Sequence, residues 1–360
     1  MKTRMQFWTT LSMFLLLMGS MLVSDQTRAA DGEKPVVAAT QKSTKLPQVR
    51  GFSMQLNNPN GAEEYRAALD DLSALGCNWI NFAVAARMKD VKSNDVYINW
   101  QNLPTLKTME SIIKHAKKKG MRVMIMPMVL LDKAGTKEWR GVIQPTDWEQ
   151  WFFSYRQYMS VVANLAAKSE ADILCVGSEL LSTEADEQRW TQTIREIKSV
   201  YSGKLTYSAN WDHYKVPTFW GQLDYIGMNN YNELASGRGA TVAQLVKTWQ
   251  PIKRDILRFA EEQKKPFMFT EVGWHNLDNT VKEPWNYVAL TKIDPREQAN
   301  AFQSFVEVWG EEKAEKFMGA FIWEWVSNAK PTDPGSYCPK GQPAMEIISK
   351  WLKLMPAAGQ

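Results

Sequence analysis

Eight short apolar segments alternate with longer amphipathic segments along this chain, and the alternation sets narrow limits on its fold. Most of the short segments are nearly continuous apolar runs, which is typical of strands buried on both faces of a parallel sheet. Strand–helix repeats either close into a barrel or form an open doubly wound sheet. An open sheet usually carries a glycine-rich phosphate loop after its first strand, and none follows the first strand here. We therefore predict an α/β fold, a single-domain (β/α)8 TIM barrel.

The strands and helices of this barrel can be assigned from the pattern. The predicted strands are 49–56, 78–85, 121–128, 172–178, 204–210, 224–230, 266–272 and 317–325. Helices are predicted at 63–75, 105–119, 147–168, 187–201, 242–263, 296–315 and 344–354, where apolar residues recur at helical spacing. Only the connection between the fifth and sixth strands is short, with 216–221 as a stub of helix.

The first 30 residues have the features of a signal peptide. Lys2 and Arg4 give a positive start, an apolar core spans 11–23, and small residues then predict cleavage after Ala29. The apolar core is shorter than the roughly 20 residues that span a bilayer, so we expect no stable membrane insertion after cleavage. The protein is expected to be exported, either secreted or periplasmic. Residues 31–48 are predicted to be a flexible leader, followed by one domain at 49–355.

Composition excludes several kinds of partner and site. A formal net charge of +4 over 360 residues is too balanced to indicate a nucleic acid partner. No His-Glu-x-x-His or paired-cysteine spacing occurs, so we expect neither a catalytic metal nor another cofactor. Cys77, Cys175 and Cys338 are expected to be buried free thiols, with at most one disulfide. We expect the protein to be a monomer.

Two glutamates carry the chemistry that the pattern suggests. Glu179 ends the fourth predicted strand and Glu271 lies near the end of the seventh. Barrel enzymes build their sites at the carboxyl ends of the strands, so both side chains should open onto one cleft. Two carboxylates across a cleft can hydrolyse a glycosidic bond, one as proton donor and the other as nucleophile or as base. The sequence therefore predicts a glycoside hydrolase.

The residues around these glutamates resemble a known family. The matching segments are Gly51-Phe52, Val176-Gly177-Ser178-Glu179-Leu180, Tyr207-Ser208-Ala209-Asn210-Trp211, Thr270-Glu271-Val272-Gly273-Trp274 and Phe321-Ile322-Trp323-Glu324-Trp325. Glutamates at the ends of strands 4 and 7 are the signature of the clan A glycoside hydrolases, which are retaining (β/α)8 enzymes. The chain most resembles glycoside hydrolase family 113, whose characterised members are β-mannanases.

This resemblance implies a role for each matching residue. It makes Glu179 the general acid/base and Glu271 the nucleophile. Tyr231 matches the aromatic residue that hydrogen-bonds the nucleophile, and Trp323 matches the tryptophan that floors the sugar subsite beside the scissile bond. Many clan members have asparagine before the acid/base, where it contacts the sugar 2-hydroxyl. Ser178 stands there in this chain, so that contact is expected to be weaker or rerouted.

Further polar and aromatic residues follow the predicted strands and are weaker candidates for substrate binding. They are Asn210, Trp211 and His213 after strand 5, Trp274 and His275 after strand 7, and Arg87 after strand 2. We predict that Trp211 and Trp274 stack on sugar rings. Arg87 is expected either to bind a hydroxyl or Glu271, or to form a surface ion pair. Glu324 is expected to be structural and to point away from the barrel axis.

The function predicted from the sequence is a retaining endo-β-glycanase, most consistent with a β-1,4-mannanase. Long loops at 87–103 and 275–293 carry aromatic residues that could wall an open cleft. One alternative is a hydrolase of another β-glycan or of oligosaccharides. An alternative of another class is a noncatalytic carbohydrate-binding barrel, which would have little reason to keep both glutamates.

Overall fold

The computed structural model describes residues 46–289 and 291–354. The signal peptide and most of the flexible leader predicted above lie outside the described residues. No helix in the described part of the chain is long and apolar enough to cross a membrane.

Eight parallel strands close into a barrel in sequence order, so the predicted (β/α)8 fold is confirmed. The strands are β1 (Val49–Gln55), β2 (Trp79–Met88), β3 (Arg122–Leu131), β4 (Ile173–Ser178), β5 (Lys204–Ala209), β6 (Ile226–Asn230), β7 (Phe267–Val272) and β8 (Phe317–Ile322). β1 pairs with both β2 and β8, which closes the sheet. All eight carboxyl ends therefore lie on one face of the barrel.

Seven α-helices surround the described barrel. They are α1 (Ala62–Ala74), α2 (Leu106–Lys118), α3 (Trp148–Lys168), α4 (Glu187–Val200), α5 (Val242–Glu262), α6 (Pro295–Trp309) and α7 (Ala344–Lys353). The β5–β6 connection has only a single 3₁₀ turn, Trp220–Gln222, where a stub of helix was predicted. Side-chain oxygens of Thr105, Asp147, Asp186 and Asp294 accept backbone N–H bonds at four helix starts. These caps satisfy amide groups that the first turn of a helix leaves unpaired.

Apolar side chains fill the barrel in layers, as expected for a packed core and not a pore. The lower layer includes Val49, Trp79, Met124, Ile173, Met268 and Phe321. The upper layer consists of Ala83, Met126, Met128, Cys175 and Trp323, and it forms the floor beneath the carboxyl ends of the strands. Cys77, Cys175 and Cys338 are all buried free thiols.

Candidate active site

The two strands that carry the glutamates are irregular near their carboxyl ends. The register of β4 against β5 shifts between Cys175 and Ser178. The register of β7 against β8 shifts between Phe269 and Val272, next to Glu271. Such bulges break the strict alternation of side chains, and they commonly re-aim a side chain beside an active site. The structure thus brings the two predicted glutamates together at the upper end of the barrel, where the charge of Glu179 raises the pKa of Glu271.

Glu271 is buried and is held through only one of its carboxylate oxygens. The Tyr231 hydroxyl donates a 2.9 Å hydrogen bond to Glu271 Oε2, so the bond predicted between these residues is present. Glu271 Oε1 is also buried, but it has no hydrogen-bond partner among the described residues. A tyrosine that orients one oxygen leaves the other free to attack an electrophile. This geometry suits a nucleophile.

Glu179 is buried too, and it projects from an unusual backbone conformation. Its φ of 52° lies in the left-handed region, which costs a residue with a side chain about 1–2 kcal/mol. Its own N–H donates to the carbonyl of Ser208 on β5 at 2.8 Å. Its carboxylate forms an ion pair with the guanidinium of Arg140. Strain of this kind persists where surrounding contacts hold it, and it commonly marks functional residues.

The two carboxyls titrate as a pair because each is buried near the other. Burial and the charge of Glu179 together raise the pKa of Glu271 to about 8, against the lowering effects of Arg140 and of the Tyr231 hydrogen bond. Burial also raises the pKa of Glu179, against the opposing charge of Arg140. A pair of this kind keeps one proton near neutral pH. It can therefore supply one proton donor and one carboxylate at the same time.

Trp323 and Ser178 lie close to this pair. Trp323 is nearly buried and packs in the upper layer of the barrel with Met126 and Cys175, so it can form the floor of a sugar site. Ser178 is buried at the end of β4, and its hydroxyl has no hydrogen-bond partner among the described residues. This hydroxyl is one carbon shorter in reach than the asparagine side chain of many clan members.

The candidates after β5 form a connected group at the edge of the site. Asn229 donates to Asn210 Oδ1 at 3.0 Å and accepts the backbone N–H of Trp211 at 2.9 Å. The Trp211 ring stacks on Trp285 with centroids 6.0 Å apart and planes at 14°. Trp285 is 43% exposed. Trp211 itself is partly buried, so the stack presents the exposed ring of Trp285 to solvent, and an exposed ring of this size favours a role in sugar binding.

His213, by contrast, faces a buried carboxylate. Its Nδ1 lies 3.5 Å from Oε2 of Glu184, and about a third of its side chain is exposed. His213 therefore belongs to the surroundings of Glu184.

The structure corrects the prediction for Trp274. This residue is fully buried, and its ring packs edge-to-face on Phe302 of α6 and Trp249 of α5. Trp274 therefore belongs to the packing between barrel and helices and cannot stack on a sugar.

Three other polar candidates also have structural partners. His275 is fully buried, and its Nε2 lies 3.1 Å from the carbonyl oxygen of Glu283. Arg87 pairs with Asp132 at 3.0 Å, so the ion pair is the alternative that the structure shows. Glu324 accepts a 2.8 Å hydrogen bond from Gln55 at the end of β1. Its charge also contributes to the raised pKa of Glu271, so it lies nearer to the pair than expected.

Arg140 was not found from the sequence. It lies in a 3₁₀ turn, Arg140–Val142, within the β3–α3 connection, and it contacts Glu179 from the side. Its Nε is buried without a partner. Glu184, a third buried glutamate just beyond Glu179, was also missed. Among the described residues, no group of three or more His, Cys, Asp or Glu side chains is arranged to hold a metal ion.

Comparison with known proteins agrees with this geometry. The model of glycoside hydrolase family 113 matches residues 54–339. A search of curated proteins finds no match. Among solved structures, the chain is similar to the GH113 β-mannanase AaManA from Alicyclobacillus acidocaldarius in complex with ManMIm. The identity is 25% and the TM-score 0.76, over 85% of this chain and 97% of that one.

Two further structures share the fold. A GH113 β-1,4-mannanase is 22% identical with a TM-score of 0.77, over 86% of this chain and all of that one. The endo-β-1,4-mannanase from Thermotoga petrophila is 13% identical with a TM-score of 0.57, over 88% of this chain and 78% of that one.

Proposed function

Because this chain belongs to glycoside hydrolase family 113, we propose that it is a retaining endo-β-1,4-mannanase with Glu179 as acid/base and Glu271 as nucleophile. The observation that carries the assignment of roles is the asymmetric bonding of Glu271. Tyr231 holds one oxygen, and the other oxygen is left without a protein partner. Glu179 takes the role of acid/base because it is the other buried carboxyl at the strand ends and is electrostatically linked to Glu271.

The proposed reaction is a double displacement. Glu179 gives its proton to the glycosidic oxygen as the bond to the anomeric carbon breaks. Glu271 Oε1 attacks that carbon from the opposite side and forms a covalent glycosyl–enzyme. Glu179, now a carboxylate, then takes a proton from water while the water oxygen attacks the same carbon. Glu271 leaves as a carboxylate, and the product keeps the β configuration.

This scheme needs the shared proton of the pair on Glu179, whereas Arg140 in the free enzyme favours a carboxylate there. The glycosidic oxygen of a bound substrate can accept a hydrogen bond only from the protonated form of Glu179. Substrate binding therefore selects that form, as a ligand shifts a population toward the state that it binds best.

The choice of mannan and of endo action rests on relatives and on exposed rings. The solved family 113 structures named above are β-mannanases. Exposed aromatic residues stand on two sides of the barrel face: Tyr97 and Trp100 in the β2–α2 loop, and Trp285 and Tyr287 in the β7–α6 loop. Rings on both sides of the catalytic pair suit a long polymer that lies across an open cleft. Another β-glycan is the alternative substrate within this class.

We propose further that the enzyme is exported and acts as a monomer. The support for export is the charged and apolar pattern at the start of the sequence. Fractionation of the cells that make it, together with size-exclusion chromatography of the mature protein, tests both proposals.

The substrate is tested by assaying reducing ends on mannan, glucomannan, xylan and glucan, and the mechanism by following the product anomers with NMR. We expect mannan to be the best substrate, with the β anomer formed first. An initial α anomer would overturn the retaining mechanism. Glu271→Gln should remove hydrolysis. Glu297→Gln is the matched control, since Glu297 is also a buried carboxyl but accepts the N–H of Gly239 and is not among the charges that act on Glu179 or Glu271. Activity in Glu271→Gln would contradict its assigned role.

A further inference from the structure

Glu184 is a buried carboxyl that the proposed reaction does not use, and it is bonded to the backbone beside Glu179 through one tyrosine. We propose that Tyr207 and Glu184 are positioning residues that hold the left-handed backbone of Glu179, so that its carboxyl points at the glycosidic oxygen. This inference rests on the proposed role of Glu179 as the acid/base.

Two consecutive residues of β5 fix the peptide groups on either side of the Glu179 Cα. The carbonyl of Ser208 accepts the N–H of Glu179 at 2.8 Å. The hydroxyl oxygen of Tyr207 accepts the N–H of Leu180 at 2.9 Å. With both amides held, rotation about the Glu179 backbone toward a relaxed conformation would break a buried hydrogen bond. The left-handed φ of Glu179 is therefore stabilised from β5.

Tyr207 is in turn held at both ends. Its hydroxyl donates to Glu184 Oε1 at 2.8 Å, so it bridges the Leu180 amide and the Glu184 carboxyl. Its ring is fully buried and packs edge-to-face on Trp190 at 5.4 Å and on Phe219 at 5.2 Å. The ring therefore has a fixed position, and the hydroxyl is a fixed point for the loop above it.

Glu184 lies close to Tyr207 because the segment that follows Glu179 forms a tight turn. Thr183 donates its N–H to the carbonyl of Leu180 at 2.8 Å, which closes a 3₁₀ turn. The Trp190 indole donates to the carbonyl of Thr183 at 2.9 Å. The loop that starts with Glu179 is thus fastened near both of its ends, at Leu180 and at Glu184, to one phenol.

The environment of Glu184 favours the neutral carboxyl. The side chain is fully buried, and burial, with smaller contributions from the charges of Glu179 and Asp212, raises its pKa to about 8 against the lowering effect of the Tyr207 hydrogen bond. His213 Nδ1 lies 3.5 Å from Oε2 but is not hydrogen-bonded to it. A glutamine can replace a neutral carboxyl here, because its side-chain oxygen can accept the same bond from Tyr207. Alanine cannot.

The test compares two substrates that share one glycone, mannotetraose and 2,4-dinitrophenyl β-mannobioside. Dinitrophenolate is a good leaving group that needs no proton. A misplaced Glu179 carboxyl should therefore slow cleavage of mannotetraose and leave cleavage of the aryl substrate almost unchanged. Tyr207→Phe and Glu184→Ala should each lower kcat/KM for mannotetraose on the order of 10²-fold, with little change for the aryl substrate. Glu184→Gln should restore near wild-type values. Tyr201→Phe is the matched control, since that buried tyrosine bonds the carbonyl of Ala171 at the opposite end of the barrel.

Equal losses on both substrates in folded Tyr207→Phe, or no loss, would overturn its positioning role. Should Tyr207→Phe fail to fold, Glu184→Ala and Glu184→Gln make the same comparison. Wild-type behaviour of Glu184→Ala would overturn the role of Glu184. Glu179→Gln is measured alongside. If that variant lacks the selective loss, the acid role itself is wrong; if it shows the loss and Tyr207→Phe does not, only the positioning role fails.

Discussion

Replacing Arg140 with glutamine should move the pH profile of this enzyme to higher pH. Arg140 forms an ion pair with Glu179, and both side chains are largely buried. Its positive charge lowers the pKa of Glu179 and, as a smaller contribution among several, that of Glu271. Without the charge, the protonated acid persists to higher pH, so the basic limb of the profile moves upward. The acidic limb moves in the same direction.

The size of this shift follows from the short distance between the charges. Two unit charges about 4 Å apart interact by about 4 kcal/mol at an effective dielectric constant of 20. An opposite charge at such a distance typically lowers the pKa of a carboxyl by about 1–3 units. We therefore expect the basic limb of Arg140→Gln to lie about 1–3 pH units above that of the wild type.

The assay is kcat/KM for mannotetraose across the pH range in which both proteins stay folded, because this parameter reports the ionisations of the free enzyme. Arg87→Gln is the control, since Arg87 pairs with Asp132 and does not touch the glutamates. Both limbs of the pH profile of Arg87→Gln should lie at the same pH as those of the wild type. A basic limb of Arg140→Gln that is unmoved, or that moves to lower pH, would refute the reasoning. An equal loss of kcat/KM at every pH would leave the positions of the limbs unchanged and would therefore count as an unmoved profile only if the basic limb stays at its wild-type pH.

Trp285→Ala removes the exposed ring of the Trp211–Trp285 stack, and a lost aromatic contact of about 0.5–1.5 kcal/mol predicts a roughly two- to tenfold higher KM for mannan. An unchanged KM in initial-rate measurements would exclude these rings from the binding surface. Trp274→Ala should instead lower the free energy of unfolding by about 3–5 kcal/mol, because it empties a fully buried site; urea unfolding measures this, and a small loss would contradict the packing described. Stability should also fall as pH rises from 4.5 to about 8, since folding raises the pKa of Glu184 over that interval and the folded state binds the proton more tightly. Urea unfolding at several pH values tests this, and Glu184→Gln should flatten the slope.

The fold was predictable because its periodicity is strong at every repeat. Seven of the eight strands begin within one residue of the predicted position, and β6, predicted from residue 224, begins at Ile226. The largest error is at α6, which was extended to 315 but ends at Trp309. Gly310 ends the helix, and the charged residues that follow continue a helical pattern without apolar contacts to support it.

The site was predictable only where its residues lie at strand ends. The rule that barrel sites form there predicted Glu179 and Glu271, and the family resemblance added Tyr231. The strand-end rule could not predict Arg140, because this residue lies in the loop after β3. The path that brings that loop to Glu179 depends on tertiary packing. The burial of Trp274 could not be read from the sequence, because it depends on the packing of this ring against α5 and α6.

Residue 179 is a locally unfavourable position in this fold, because its left-handed backbone costs stability. A glycine there would relax the left-handed backbone and would remove a buried carboxyl in the same step. Glu179→Gly should therefore relieve that strain, but it would leave the largely buried guanidinium of Arg140 without its ion-pair partner and would have no acid to offer a substrate. At this position, relief of backbone strain leads away from catalysis. A descendant with glycine at this position would keep its aromatic residues at the cleft and would bind sugars without cleaving them.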